Sequence, residues 1–405
     1  MNTKITYICL KKKFHMEVRQ QSREVWIDWM RVTACFLVMM VHSSEPFYLG
    51  AGNLVLTRPD VFWVSFFDSL ARSCVPLFVV ASSYLQFPLH YSTGEFFRRR
   101  VVRILPPFFF WTVFYALVWG EPLQNFKDLL LNFNYAAGHL WFVYMLLGIY
   151  MLMPLLSPWA EKAGRREVGF FLFVSVLTTC LPYVRELAAG DNVAFIIGPG
   201  GIPMPALYPL WGEASWNYFG IFYYLSGFVM YVLLGLYLRK FMSDIPSGKA
   251  FRIAVPCWLA GFAICFYGFI ARVTATAGGV YPIPGDCPLA ATWETPWSYV
   301  SPGVFLMTLG VVLAFRNIRS DGRFYRKVIL PLSGAGYGMY LCHMFFLSKF
   351  SSVFRTALGT GTEGCIGIWT TPAEILLTLL CTFTCTAVVS VLIRRIPRVG
   401  NFIMG

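Results

Sequence analysis

Arg31 and His42 stand eleven positions apart in the apolar run Trp26-Ile-Asp-Trp-Met-Arg31-Val-Thr-Ala-Cys-Phe-Leu-Val-Met-Met-Val-His42. At about 100° per residue, eleven steps return to within roughly 20° of the start, so both side chains share one helical face, about 16 Å apart along the axis. An ionisable side chain costs about 2.5–3.5 kcal/mol to insert into hydrocarbon, so such groups line polar cavities or find partners. Neutral imidazole is suited to take a proton from a hydroxyl near neutral pH. A guanidinium on the same face can stabilise developing negative charge or steer an anionic substrate. Asp68 and Arg72 lie one turn apart on the next apolar segment, a spacing that predicts an internal ion pair. Their depth, about 10–16 Å from the outer end, is near that of His42. His139 opens a further segment, and His343 lies about 20 Å along another. Three of the five histidines therefore converge on one level with Asp68 and Arg72. Asp28, three residues before Arg31, reads as a charge that anchors the helix at the interface.

These residues need a membrane scaffold to position them. The chain is 57% hydrophobic and only 13% charged, about half the charge of an ordinary soluble domain. Ten segments are apolar and long enough to be read as crossings: 26–48, 61–87, 101–120, 138–156, 168–184, 219–238, 252–271, 298–315, 328–348 and 373–393. The expectation is an all-α polytopic bundle of about ten transmembrane helices with no separate soluble domain. It is framed by a basic tail over 1–25, a membrane domain over 26–395 and a tail over 396–405. No cleavable signal peptide is expected, because the first apolar segment is too long and has no small-residue cleavage site after it.

The net charge of +13 is not spread evenly. Twenty-five Lys and Arg fall on one set of alternate loops and tails, six on the other, and two, Arg31 and Arg72, inside helices. That split places both termini in the cytoplasm by the positive-inside rule and argues against nucleic acid as a partner. The lipid bilayer is the partner the composition demands. Most of the eleven cysteines fall in apolar runs; Cys287 and Cys365 share the outer side, where a disulfide is one option. No metal-ligand spacing appears, so no metal is expected. Walker, GxSxG and HExxH patterns are missing too, against ATPases, serine hydrolases and zinc proteases.

The densest basic run is Arg98-Arg99-Arg100-Val-Val-Arg103, ahead of Pro106-Pro107. It serves as an orientation signal, and its forked donors also suit phosphate oxygens. On the outer side, Trp211, Trp216 and Tyr218 with Glu213 and Asn217 fit either a carbohydrate platform or an interfacial aromatic belt.

Taken in order, these motifs resemble the acyltransferase-3 family of integral membrane acyltransferases, which includes bacterial O-acetyltransferases of surface polysaccharides. The matching pieces are Ile27-Asp28-Trp29-Met30-Arg31 through His42, Val75-Pro76-Leu77-Phe78, Phe97 to Pro106, His139-Leu140-Trp141-Phe142, and Ser333 to His343 with Tyr337 and Tyr340. They span about 27 to 345. One departure is Ser82-Ser83, where the family usually carries Ser-Gly and so a closer backbone approach. The resemblance implies transfer of an acetyl group from cytoplasmic acetyl-CoA to a hydroxyl of a cell-surface or periplasmic glycan, in a bacterial inner membrane. The expected chemical group is His42, Arg31, Asp68 and Arg72, with Asp68 as one way to orient His42. Arg98, Arg99, Arg100 and Arg103 are expected on the donor, and His139, Trp141, Tyr340, His343, Trp216 and Asn217 around the acceptor. Direct transfer and an acetyl-His42 intermediate both fit these residues. So do another acyl-CoA or a lipid or peptide acceptor, and a non-catalytic transporter is the alternative outside enzymes. Oligomeric state is not readable.

Overall fold

The structure is a computed structural model that describes residues 24–48, 55–119, 135–189, 195–197, 203–205, 211, 219–243, 245–284, 290–359 and 369–405. Among these, the chain is a helical bundle. Helix α1 (Val25–Ser44) has no Pro or Gly, so nothing interrupts its hydrogen-bond ladder. Helices α2 (Arg58–Ala71) and α3 (Cys74–Gln86) follow. Then come α4 (Thr93–Val118), α5 (Trp141–Lys162), α6 (Arg165–Thr178) and α7 (Leu181–Ala189). The second half holds α8 (Val229–Phe241), α9 (Ser247–Ala277), α10 (Pro302–Phe315), α11 (Leu330–Leu358), α12 (Thr370–Arg394) and α13 (Val399–Met404). Among the described residues, strand structure is confined to two short antiparallel pairings, Val55–Leu56 with Ile283–Pro284 and Phe195–Ile197 with Pro203–Pro205.

All ten apolar segments form helix, but not all as simple crossings. Eight spans among the described residues are long and apolar enough to cross a membrane, α2 and α3 counting together as Arg58–Gln86. The pair α6 and Leu181–Leu187 makes a ninth if taken as one span bent by 43°. The 219–238 segment divides into a 3₁₀ turn, Gly220–Leu225, and the 13-residue α8. At about 1.5 Å per residue, α8 covers about 20 Å, less than the about 30 Å hydrocarbon core.

Local sequence explains the breaks that matter. α1 gives way to the 3₁₀ turn Glu45–Phe47, where Pro46 cannot continue the ladder. Ser43 and Ser44 donate back to the carbonyls of Met39 and Val41, at 2.7 and 2.8 Å. α2 opens on a capping box: the Thr57 side chain accepts from the Asp60 amide, and the Asp60 carboxylate accepts from the Thr57 amide. α4 begins at Thr93, so the arginine run lies on its first turns rather than before the helix. The segment read as a tail, 396–405, contains α13, which folds back on the bundle. There the Trp111 indole donates to the Ile403 carbonyl (2.9 Å), and Met404 is fully buried.

The core is built on α1, which packs on α2, α3, α11 and α12. The Ser82-Ser83 departure is resolved across the α3–α8 contact. Ser83 donates to the Val232 carbonyl (2.6 Å), and Gly235 supplies the room a glycine would have given. A Cβ at Gly235 would stand 2.7 Å from Ser83 Cβ and 2.9 Å from the Val80 carbonyl.

Candidate functional site

The straight helix α1 delivers Arg31 and His42 to one cavity of about 180 Å³. Its walls come from α1, α3, α4, α5 and α11. Arg31, Arg100 and Arg103 mark one end, while His42, His139, Trp141, Tyr299 and Tyr340 also line it. Val75, Phe78, Phe142 and Leu146 make much of it apolar. The shared face of Arg31 and His42 expected from their spacing is therefore a cavity wall.

The three histidines meet. The His343 ring centroid lies 5.1 Å from that of His42 and 5.1 Å from that of His139. His42 is 15% exposed, and its Nδ1 lies 2.5 Å from Glu45 Oε2. An ionised carboxylate only accepts, so Nδ1 carries the hydrogen and Nε2 keeps a lone pair. Glu45 is on the 3₁₀ turn, three residues past His42, a spacing that keeps both on one face. His343 is fully buried; its Nδ1 donates to the Tyr340 carbonyl (2.5 Å) and its Nε2 has no partner. The Tyr340 hydroxyl donates to the His139 carbonyl (2.5 Å), so α11 braces the turn that carries His139. His139 Nε2 is likewise buried without a partner. Trp141 stacks on Tyr299, with centroids 5.6 Å apart.

Asp68 and Arg72 form the expected ion pair, buried at 0% and 6% side-chain exposure. They do not line the cavity, and the carboxylate on His42 is Glu45 rather than Asp68. Asp68 is occupied by Arg72 and by the Ser44 hydroxyl (3.0 Å). Arg72 also donates to the Tyr48 hydroxyl (2.9 Å), lies 3.5 Å from Glu294, and sits over the Trp297 ring at 4.9 Å. These contacts take up Nε, Nη2 and one face of the guanidinium and hold it away from the cavity lining. Its node instead underpins the turn that holds Glu45, since Ser44 and Tyr48 flank that turn.

At the basic end, a second cavity of about 490 Å³ is lined by Arg31, Arg103, Arg239 and Arg394 together with Glu24 and Asp28. It shares Arg31, Arg103, Ser333 and Gly334 with the first, so the two lie side by side about these residues. Asp28 is buried and accepts from Tyr325 (2.7 Å) and Ser333 (2.5 Å), tying α1 to α11 as well as anchoring charge. The arginine run divides by face. Arg100 and Arg103 reach the cavity; Arg98 and Arg99 lie on an outer surface, where Arg99 pairs with Glu95 (2.5 Å) and stacks on Tyr91 at 4.2 Å.

Of the acceptor-side expectations, Trp216 and Asn217 lie outside the described residues, as do Glu213, Tyr218, Cys287 and Cys365. Trp211 is described, exposed, and packs edge-on against Phe222. The residues sequence reasoning passed over are Glu45, Tyr299 and Arg394. Only Glu45 had a readable signal, its three-residue spacing from a histidine already singled out. Tyr299 and Arg394 reach the site through tertiary packing alone.

The site thus places a half-buried histidine with a carboxylate partner in a cavity that also carries arginines, within a helical bundle. The family model described as "Acyltransferase domain" matches residues 24–391, nearly the whole chain. The chain belongs to that acyltransferase family, and its multi-span helical fold makes it a membrane acyltransferase. Neither the curated proteins nor the solved structures contain a match to it.

Proposed function

We propose that the chain is an O-acetyltransferase that moves an acetyl group from acetyl-CoA, bound at the arginine-lined end, to a hydroxyl of a glycan. The observation that carries this reading is the continuous cavity from Arg31 and Arg103 to His42. Its about 16 Å separation matches the extended arm of an acyl carrier, whose phosphates stay at the mouth while its thioester reaches the histidine. The likeness of the first helix to that of the enterobacterial common antigen O-acetyltransferase supports a polysaccharide acceptor. The positive-inside split supports a bacterial inner membrane with the arginine mouth on the cytoplasmic side.

In this mechanism His42 Nε2 takes the proton of the acceptor hydroxyl as its oxygen bonds to the acetyl carbonyl carbon. The Glu45 carboxylate holds the imidazole in the required tautomer and stabilises the imidazolium that forms. The Tyr299 hydroxyl or the Trp141 indole N–H donates to the transient oxyanion, a role for which Arg72, outside the cavity lining, is not placed. The C–S bond then breaks, and the leaving thiolate recovers the proton from His42. His139 lines the pocket and can offer Nε2 to a further hydroxyl donor, while the fully buried His343 backs both rings from behind the cavity wall. Arg31 steers the carrier past the mouth.

The test supplies labelled acetyl-CoA to purified protein in liposomes with a glycan extract and follows label on the glycan. Wild-type protein is expected to transfer. His42→Ala should lose about 10²–10⁴-fold in rate while still binding donor. Near-normal transfer by that variant would overturn the reading, and label recovered in lipid or peptide would reassign the acceptor.

A further inference from the structure

Beyond the mouth of the first cavity (the tunnel) lies a third basin that the transfer chemistry does not use. It is a surface bowl of about 490 Å³ lined by Arg98, Arg99, Val102, Arg103, Arg394 and Asn401. Arg103 belongs to the tunnel, the vestibule and the bowl alike, while Arg394 belongs to the vestibule and the bowl. The bowl therefore adjoins the second cavity (the vestibule) and the tunnel, meeting them at these two guanidiniums.

The bowl brings Arg103 and Arg394 together without a counter-charge. Elsewhere Arg72, Arg272 and Arg355 are each held by a carboxylate, Asp68, Glu186 and Glu374 respectively. Among the described residues, neither Arg103 nor Arg394 has a carboxylate within ion-pair distance. Arg394 is also not a frayed end. Gly400 folds α13 so tightly onto the end of α12 that a Cβ there would stand 2.7 Å from Arg394 Cα. α13 is in turn seated by the Trp111–Ile403 hydrogen bond and by Met404 against Gly338. Gly334 leaves room beside the guanidinium: a Cβ there would lie 3.0 Å from Arg394 Nη1. Packing thus holds an uncompensated fork beside a second one, an arrangement stabilised by a multiply charged anion.

We propose that the bowl is a second phosphate site, separate from the tunnel mouth, and that Arg394 with Arg98 and Arg103 reads the ribose 3′-phosphate of the donor. The inference rests on acetyl-CoA being the donor. That carrier has a diphosphate in line with its arm and a monoester phosphate that branches off the ribose. The line is matched by vestibule and tunnel, and the branch by the bowl beside them. A monoester dianion suits several forked donors at once. Arg99, already paired with Glu95, contributes less.

The experiment measures binding of acetyl-CoA and of 3′-dephospho-acetyl-CoA to the full chain in lipid nanodiscs. Wild-type protein should prefer the 3′-phosphorylated donor by about tenfold or more, the effect of losing one or two charge-assisted hydrogen bonds. Arg394→Gln should bind both donors as weakly as wild type binds the dephospho form, so that the preference vanishes. Arg98→Gln, at an exposed position with no packing role to disturb folding, should shrink the preference several-fold; Arg99→Gln should keep it. Equal wild-type affinity for the two donors overturns the proposal. So does an Arg394→Gln variant that weakens both by one factor. Failure of wild type to bind either donor refutes the acetyl-CoA reading itself, and this site with it.

Discussion

Replacing Glu45 by Gln removes one charge and almost no volume, so it isolates what the carboxylate does for His42. The contact is short, 2.5 Å, between groups 15% and 22% exposed, where solvent screens little. A hydrogen bond to a charged group contributes about 1.5–3 kcal/mol. At about 1.4 kcal/mol per tenfold in rate, that is a loss of about 10–150-fold. A neutral amide can also present its NH₂ to Nδ1, which turns the proton onto Nε2 and disables the base; the loss then moves to the upper end of that range. Donor affinity should hold, because the arginine mouth is about 16 Å away along α1. The liposome transfer assay, run against donor concentration, should show kcat reduced and KM for acetyl-CoA unchanged. The decisive comparison is the double variant. If Glu45 acts only through His42, Glu45→Gln/His42→Ala should be no slower than His42→Ala alone, since residues working as a unit are strongly non-additive. Multiplicative losses, or full activity in Glu45→Gln, would refute the dyad.

The other predictions use different readouts. Arg103→Ala should weaken acetyl-CoA binding by about tenfold or more, whereas Arg99→Ala, which frees a surface pair, should change it little; equal effects in a direct binding titration would contradict the division of the cluster by face. Asp68→Ala leaves the buried Arg72 with Glu294 as its remaining carboxylate and should cost about 1.5–3 kcal/mol, visible as lost yield and a lower Tm in detergent, and Asp68→Asn/Arg72→Met should recover much of it. A double variant as unstable as Asp68→Ala would point to the pair as a positioning device rather than a charge balance. Reporter fusions within 190–215 should read external and those after Lys240 cytoplasmic, and a cytoplasmic signal from 190–215 would reverse the assigned sidedness.

Much of this architecture could be read in advance because the bilayer leaves little choice. Each crossing must be a hydrophobic helix, and all ten apolar segments are helical. The Arg31–His42 stripe and the Asp68–Arg72 pair follow from helical period within one element, and both appear. What escaped depended on how elements meet. The chain turns between Ala71 and Cys74, so α2 and α3 are separate helices and Arg72 faces Tyr48 and Glu294 instead of His42. No local pattern in a uniformly apolar run reports such a turn. Glu45 was passed over although it falls within the 26–48 segment, because nothing local distinguishes a partner of His42 from a charge at the end of a crossing. The spare room at α3 came from Gly235, 152 residues beyond Ser83 in sequence.

The absence of Pro and Gly from α1 has a consequence for substrate choice. Two of the cavity walls carry internal proline, at Pro106 and Pro107 in α4 and at Pro154 and Pro158 in α5, so these walls can bend. The helix bearing both Arg31 and His42 has no such joint. It works as a ruler between two bending walls: the interval from anchor to base is graduated in helical turns and stays constant while the cavity around it changes width. A carrier with a shortened arm would dock at the mouth with its reactive carbon short of the mark, and a longer acyl chain would pass His42 without altering where its carbonyl stops. Selection by arm length and tolerance at the acyl tail would then be set by different parts of the protein.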